Sequence, residues 1–419
     1  MQLFLDGLAA QANRHGVAVE LILVEWNPPP DRPRLREALG WAPTTPFFHP
    51  RIVAVPPHVH ARFDPKGGLP LFQMIAKNVG IRRARGRFVL ATNVDLLFPD
   101  ELFRELKGRL EPGVLYRNDR LDVSREIPTE GGIDDLLSFC RSHVLRMHKA
   151  RGAFMPVNGR WVNTSPSAFD VCVRHVRYWS RPAARMMGTL ALRVSERLGS
   201  AMKSVPLLKR VASNRLLARA MNSAVVRHLA GLAFAITVGW PLLLAYYLRA
   251  STVRGLVKDF LERLRRLGRV YRVNRTFVRL HTNGCGDFTL LDRETWFRLR
   301  GYPEWPVFSW AVDSVFLFQA EANHVVNRQL PAEQCTYHID HGGGWTPEDQ
   351  ANLFQRLQDK GIAMLSEEDF YRLYAEMEDA RRKRRVLVYN AENWGLSDLE
   401  LPEQPVEGSS ALSPAALRA

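Results

Sequence analysis

Residues 78–95 constrain the fold of this chain more than any other stretch. Apolar side chains at helical spacing run up to Gly86, which predicts a helix that stops there. The apolar run Phe88-Val89-Leu90-Ala91 follows and predicts a short buried strand. This strand delivers Asn93 and Asp95 at its carboxyl end, the edge where open α/β sheets bind ligands. Asp95 is therefore a candidate metal or nucleotide ligand, and the alternative is an Asx turn that caps the next helix.

Strands alternate with helices along the rest of the amino-terminal region. Residues 1–15 show the apolar spacing of an amphipathic helix, and Val19 to Glu25 and Arg51 to Pro56 read as strands. This βαβ pattern predicts an α/β fold. A nucleotide-binding sheet of this class normally starts with a strand and not with a helix. We therefore expect a further strand, encoded upstream of Met1.

The motifs around Asp95 resemble a known family. The pattern Asn-x-Gly-Ile-x-x-Ala-x-Gly, an apolar strand, and Asn93-Val94-Asp95 followed by Leu-Leu-Phe-Pro-Asp-Glu-Leu are similar to the core of GT-A fold, family-2-like, nucleotide-sugar glycosyltransferases. The resemblance implies that Asn93-Val94-Asp95 is the Asp-x-Asp motif of that family, which holds Mn²⁺ or Mg²⁺ against the donor diphosphate. Asn93 stands where the family often has Asp, which leaves one charged ligand.

The same resemblance implies roles for residues elsewhere in the chain. Glu25 and Asn27 would lie near the donor nucleoside, and Asp287, in the glycine-rich turn before a strand, would face the donor. Asp313 would be the base that deprotonates the acceptor hydroxyl, and His338 or His341 would join Asp95 on the cation. The sequence leaves open a plain proline turn after Glu25, a helix cap at Asp313 and a polar flexible loop around the histidines.

Positive charge is concentrated in one segment. Residues 181–279 carry 20 Lys and Arg against three acidic residues, a net charge of +17, whereas the remainder carries 38 basic and 40 acidic residues. A near-neutral globular body with one basic segment differs from a chain that is basic throughout for nucleic acid binding. We therefore expect no nucleic acid partner.

The basic segment contains an uncharged run, Leu229 to Leu248, about long enough to cross a bilayer. A single crossing would put the two halves of one catalytic domain on opposite sides of the membrane. We therefore expect a re-entrant hairpin or an interfacial helix on an anionic membrane surface. The alternative is a buried helical insertion with a solvated basic rim.

The cysteines and the amino terminus bear on the compartment. Four cysteines stand far apart without a Cys-x-x-Cys pair, which argues for a reducing compartment. No secretion signal is visible. We expect a cytoplasmic protein, peripheral or re-entrant on the inner face of the cell membrane.

Together these features predict a GT-A-like mixed, mostly parallel sheet flanked by helices. We expect a nucleotide-sugar-binding part in 1–181, a helical membrane-associated insertion in 182–279, an acceptor and metal part in 280–400, and a disordered tail in 401–419. The resemblance implies transfer of a sugar from a nucleoside diphosphate donor to a glycan or glycolipid acceptor. It favours inversion over retention of the configuration at the transferred sugar. A catalytically inactive scaffold and a basic membrane-binding or nucleic-acid-binding protein are the alternatives.

Overall fold

The computed structural model describes residues 1–42, 45–64, 68–165, 280–341 and 347–406. All of these residues belong to one compact unit. It is a mixed α/β structure with mixed sheets and flanking helices, which confirms the predicted fold class at this level. The predicted insertion, 182–279, and its apolar run lie outside the described residues. Among the helices that are described, none is both long and apolar enough to cross a membrane.

The elements before residue 166 are, in order, α1 (Gln2–His15), β1 (Val19–Trp26), α2 (Leu35–Ala38), β2 (Phe48–Val55), α3 (Pro57–His60), α4 (Gln73–Arg83), β3 (Phe88–Thr92), β4 (Leu96–Leu97), α5 (Asp100–Leu106), β5 (Val114–Arg117), β6 (Arg120–Val123), α6 (Ile133–Ser142), β7 (Val144–Lys149), β8 (Gly152–Val157) and β9 (Arg160–Asn163). Those after residue 279 are β10 (Phe288–Asp292), α7 (Arg293–Leu299), α8 (Val312–Ala322), β11 (Val326–Gln329), β12 (Thr336–Ile339), α9 (Pro347–Asp359), α10 (Glu367–Arg382) and β13 (Glu403–Pro405).

The strands form three sheets, with the orders β1-β2-β13, β11-β5-β10-β3 and β4-β12-β6-β7-β8-β9. The prediction of a mostly parallel sheet is wrong for the described strands. Only β1 with β2, β5 with β11 and β6 with β12 are parallel, and the other seven pairings are antiparallel. One reason is that β7, β8 and β9 follow one another as hairpins, which need no crossover.

Strands from either side of residues 166–279 pair directly with one another. β10 lies antiparallel to β3, with Leu290 opposite Leu90. β12 lies parallel to β6, with His338 opposite Asp122. Residues far apart in sequence are thus brought to the same sheets.

The Asn78 side chain fixes a buried turn. Its amide donates to the carbonyl of Tyr302 at 2.8 Å and to Glu304 Oε1 at 2.9 Å, and its Oδ1 accepts the backbone N–H of Tyr302 at 2.9 Å. Gly301, with φ of +68°, comes so near that a Cβ there would lie 2.4 Å from Oδ1 of Asn78. The turn at Gly301 is therefore a packed structural element.

The apolar spacing of residues 134–149 predicts one helix, and the apolar run Val386 to Val388 predicts a strand, and both predictions are wrong. The helix α6 ends at Ser142, and β7 begins two residues later. The segment from Val386 to Val388 is irregular, because the backbone N–H of Leu387 donates to the Asn323 side chain at 3.0 Å. The tail predicted to be disordered from 401 contains β13, which pairs with β2, while residues 407–419 lie outside the described residues.

Candidate active site

Asp95 lies between β3 and β4, where β12 closes against it. β12 is antiparallel to β4 with His338 opposite Leu96, and the backbone N–H of Ile339 donates to the Asp95 carbonyl at 2.9 Å. This pairing brings His338 beside Asp95 although a long stretch of chain separates them. The carboxyl end of β3 is thus the place where side chains from both sides of the sequence meet.

Asp95, His338 and His341 form a cluster of three potential ligands. The Nε2 atoms of His338 and His341 lie 3.3 Å and 3.5 Å from Asp95 Oδ2. One ligand atom from each residue falls within 4.8 Å of the others. The other carboxylate oxygen, Asp95 Oδ1, is buried and has no hydrogen-bond partner among the described residues. A buried carboxylate oxygen without a partner is costly unless something binds it, so the cluster is suited to a cation.

Asp122 lies behind His338. Its side chain is fully buried, and its Oδ1 lies 3.2 Å from His338 Nδ1. Histidines that bind metals usually donate their second ring N–H to a carboxylate, which fixes the ring orientation. Burial disfavours a charged His338, but Asp122 and Asp95 outweigh it and raise the pKa of His338 to about 9. The imidazole therefore bridges two carboxylates in the absence of a metal.

Three further basic groups surround Asp122. Arg120 Nε lies 2.9 Å from its Oδ1, and His148 Nε2 and Arg146 Nε lie 3.0 Å and 3.5 Å from its Oδ2. Although burial disfavours its charge, hydrogen bonds from His148 and His338 and the charge of Arg120 hold the pKa of Asp122 far below its ordinary value. Asp122 is therefore an anion at neutral pH, and its charge favours a fixed orientation of the His338 ring in front of it.

Asp287 belongs to a second group, which Arg120 joins to the first. Arg120 Nη1 lies 2.6 Å from Asp287 Oδ2, and burial of Arg120 is outweighed by Asp287 and Asp122, which raise its pKa. The Asn93 amide also donates to Asp287, while Asn93 Oδ1 accepts from Gln73 at 3.1 Å. Asn93 is thus directed at Asp287 and not at the cluster of Asp95.

Asp313 and Lys77 lie against the same glycine-rich turn. A Cβ on Gly286 would lie 3.0 Å from Asp313 Oδ2, and Lys77 Nζ donates to the Gly286 carbonyl. Burial lowers the pKa of Lys77, while the charges of Asp287 and Asp313 oppose that change. Asp313 is in the first turn of α8 and is half-buried, which leaves it accessible to a reacting group.

Glu25 and Asn27 have structural partners at the end of β1. Glu25 Oε2 accepts from Arg34 Nε at 2.7 Å, and its Oε1 accepts the backbone N–H of Leu35 at 2.7 Å. Asn27 adopts a left-handed φ of +49°, and its backbone N–H donates to the Val55 carbonyl at 2.8 Å. Both carboxylate oxygens of Glu25 therefore hold the following loop, which matches the proline-turn alternative.

The donor set indicates which cation would fit. Two imidazoles and one carboxylate suit Mn²⁺ and other first-row transition metals better than Mg²⁺, which prefers oxygen ligands and keeps its waters. Asp95, His338 and His341 would hold such an ion, and Asp122 would orient His338 from behind.

The structure thus brings together the predicted Asp95, His338 and His341 and places Asn93, Asp287 and Asp313 around a neighbouring turn. Sequence reasoning placed Arg120 at the cleft but missed Asp122 and His148. The alternation Arg120-Leu121-Asp122-Val123 puts Arg120 and Asp122 on one face of a strand, but four residues are too few for this signal to identify Asp122 alone.

The chain was also compared with known proteins. It matches no model of a protein family, and no curated protein is similar to it at a significant level.

Proposed function

We propose that this chain transfers a sugar from a nucleoside diphosphate donor to a glycan or glycolipid acceptor, with a divalent cation held by Asp95, His338 and His341. One observation carries the proposal: buried His338 has Asp122 Oδ1 3.2 Å from its Nδ1 and Asp95 Oδ2 3.3 Å from its Nε2, and the other oxygen of Asp95 has no hydrogen-bond partner among the described residues. This is the arrangement of a metal ligand with its supporting group.

The cation, when bound, would neutralise the charge that develops on the departing diphosphate. Asp122 would keep the proton on Nδ1 of His338, so that Nε2 presents its lone pair to the ion. Lys77 lines the same cavity as Asp95 and is held at the Gly286 carbonyl. Its ammonium would face the donor phosphates without a large rearrangement.

Asp313 would take the proton of the acceptor hydroxyl if the reaction inverts the sugar. Its Oδ1 accepts the backbone N–H of Ser314 at 2.8 Å, which orients the carboxylate. The other oxygen, Oδ2, lies over Gly286, beside the turn that carries Asp287. A half-buried carboxylate that is oriented at one oxygen is suited to general base catalysis.

The basic segment with its apolar run supports an acceptor at an anionic membrane surface. A membrane-bound glycolipid or growing glycan would meet the active site while the chain stays peripheral or re-entrant on the cytoplasmic face. This part of the proposal rests on sequence only, because the segment lies outside the described residues.

A catalytically inactive scaffold of the same fold is the second candidate. The engagement of Glu25 by Arg34 and Leu35 favours it, because the side chain predicted to meet the nucleoside is already bound. The two candidates share the metal cluster and differ in donor turnover.

The test is a calorimetric titration with Mn²⁺, followed by a panel of nucleotide sugars with and without the ion, scored for binding and for hydrolysis. We expect Mn²⁺ to bind more tightly than Mg²⁺ and to be needed for binding of one donor. His338→Gln should abolish Mn²⁺ binding, whereas His143→Gln, at an exposed histidine stacked on Phe139, should not change it. A folded protein that does not bind Mn²⁺ would contradict the proposal. Binding of a donor without its hydrolysis would support the inactive scaffold.

A further inference from the structure

β1 and β3 each have an edge that no described strand covers. β1 pairs with β2 and β3 pairs with β10, each on one side, among the strands that the structure describes. A cavity of about 940 Å³ is lined by both strands, from Val19 to Val24 and from Phe88 to Thr92. We call it the inter-strand slot. Packed interiors keep few voids larger than one water, so a cavity of this size is not a packing defect.

The two edges run in the same direction. Glu20, near the start of β1, accepts the backbone N–H of Arg85, just ahead of β3, at 2.8 Å. The amino ends of both strands are therefore at one edge of the slot, and Asp95 and His341 line the other end. An element between them would have to pair with two parallel neighbours.

The backbone of β1 shows which groups face the slot. Val19 and Asn27 donate their N–H groups to the carbonyls of Phe47 and Val55, on the side of β2. Backbone N–H and C=O groups of successive residues point to opposite sides of a strand. The odd-numbered residues of β1 therefore bond to β2, whereas the backbone groups of Glu20, Ile22 and Val24 face the slot. Backbone groups buried away from water require hydrogen-bond partners. An extended peptide supplies such partners at the same spacing along the strand.

Both faces of the slot are apolar. One face is formed by Phe4 and Leu8 of α1 with Phe103 of α5. The opposite face is formed by small residues at one-turn spacing, Ala76 and Gly80 of α4 and Ala84 just after it. A strand buried on both faces reads as a continuous apolar run.

Topology identifies the source of the strand. Met1 lines the slot, and α1 leads from it through Gly16 into the start of β1. A strand in front of α1 would form a strand–helix–strand unit with α1 and β1, the usual connection between parallel neighbours. We infer that the inter-strand slot seats a parallel β-strand of apolar side chains, supplied by residues joined directly in front of Met1. The inference does not depend on the proposed transfer reaction.

The experiment compares four forms of the full chain by residue-resolved hydrogen exchange and thermal unfolding. The first is the printed sequence, and the second carries the residues encoded in frame directly upstream. The third carries a designed strand, Ile-Val-Val-Ile-Val, joined to Met1 by Gly-Asn-Ser. The fourth replaces the central valine of that strand with proline, which cannot donate to a ladder.

In the printed chain, the amides of Glu20, Ile22 and Val24 should exchange at least about tenfold faster than those of Leu21 and Leu23, which bond to β2 and serve as the internal control. The natural and designed extensions should remove this difference and raise the unfolding midpoint by about 5 °C. The proline form should do neither.

Three results would overturn the inference. The first is an in-frame stop codon directly ahead of Met1, or upstream residues without an apolar run of strand length. The second is equal protection of odd and even amides in the printed chain, which would show that the slot is already filled or closed. The third is a designed strand that performs no better than its proline form.

Discussion

The ends of β1 and β3 carry the same sequence signal with opposite outcomes. An acidic residue lies near the carboxyl end of each apolar strand: Glu25 is the second-last residue of β1, and Asp95 follows β3. At the end of β1 the carboxylate is satisfied by a local arginine and a backbone N–H. At the end of β3 one oxygen of Asp95 has no hydrogen-bond partner among the residues that the structure describes, and two histidines from a distant part of the chain face the other oxygen.

The difference shows what decides the fate of a carboxylate at a strand end. Glu25 meets Arg34 within one loop, so its charge is neutralised by a neighbour in sequence. Asp95 has the buried imidazole of His338 beside it, and the second nitrogen of that ring lies 3.2 Å from Asp122 Oδ1. Glu25 is satisfied within its own loop, as expected of a structural carboxylate. Asp95, which we propose as a metal ligand, keeps one oxygen without a partner among the described residues.

The largest effect is expected from Asp95→Asn. Removing the only carboxylate of the cluster should abolish Mn²⁺ binding and lower the transfer rate by about a thousandfold, because a bound cation contributes several kcal/mol to transition-state stabilisation. Initial rates and calorimetry on the variant would measure this. Asp100→Asn, whose carboxylate pairs with Arg14 and His15, is the matched control. Metal-dependent activity in folded Asp95→Asn would place the site elsewhere.

The second effect is a pH dependence confined to the end of β3. Without metal, the pKa of His338 is raised from 6.5 to about 9, so its contribution to stability is complete below pH 6.5 and is lost as pH rises through 9. In a chelator, the free energy of unfolding should therefore fall by up to about 3 kcal/mol over that range. Denaturant titrations at several pH values would measure it.

With Mn²⁺ present the trend should reverse, because the ion requires neutral imidazole and competes with the proton. His338→Gln should remove the pH dependence of the free energy of unfolding both in chelator and in Mn²⁺. If the unmodified protein shows the same pH dependence in chelator and in Mn²⁺, the cluster is only a histidine–carboxylate network.

The third effect concerns the group behind the ligand. Asp122→Asn should weaken Mn²⁺ binding by about 10-fold to 100-fold, because the supporting carboxylate no longer holds His338. His148→Gln removes a different neighbour of Asp122, at Oδ2, and should weaken binding less. Calorimetry with circular dichroism as a check of folding would decide, and equal losses in both variants would point to general destabilisation.

The smallest effect is expected at the end of β1. Glu25→Gln should leave Mn²⁺ affinity unchanged within about twofold and lower the free energy of unfolding by about 1 kcal/mol, because one charged hydrogen bond to Arg34 is weakened. A large loss of donor affinity with intact stability would instead give Glu25 the nucleoside role that the family resemblance implies.

Much of the amino-terminal fold could be predicted from sequence. The apolar periodicity placed α1, β1, α4 and β3 and put Asp95 at the polar end of β3, whereas His338 was named only through the family resemblance. These features depend on short-range patterns, which remain visible without the tertiary structure.

The rest depended on tertiary pairing or on signals that were overlooked. Asp122 belongs to a strand of four residues, too short for its alternation to be convincing alone. The Asn158-Gly159 turn, with both φ values positive, is a strong hairpin signal that would have assigned β8 and β9. The partners of Asp287 could not be predicted, because Arg120 reaches it only after distant strands pair.

The pairing of β3 with β10 has a consequence for how the chain is made. Asp287, just before β10, lies 195 positions after Thr92, at the end of β3. At about 5–20 residues per second, roughly 10–40 s separate their exit from the ribosome. During that interval the nascent chain exposes the apolar edge of β3, and Asp95 has not yet met His338. A chaperone that covers this edge, or slow codons between the two strands, would then set the yield of correctly assembled protein.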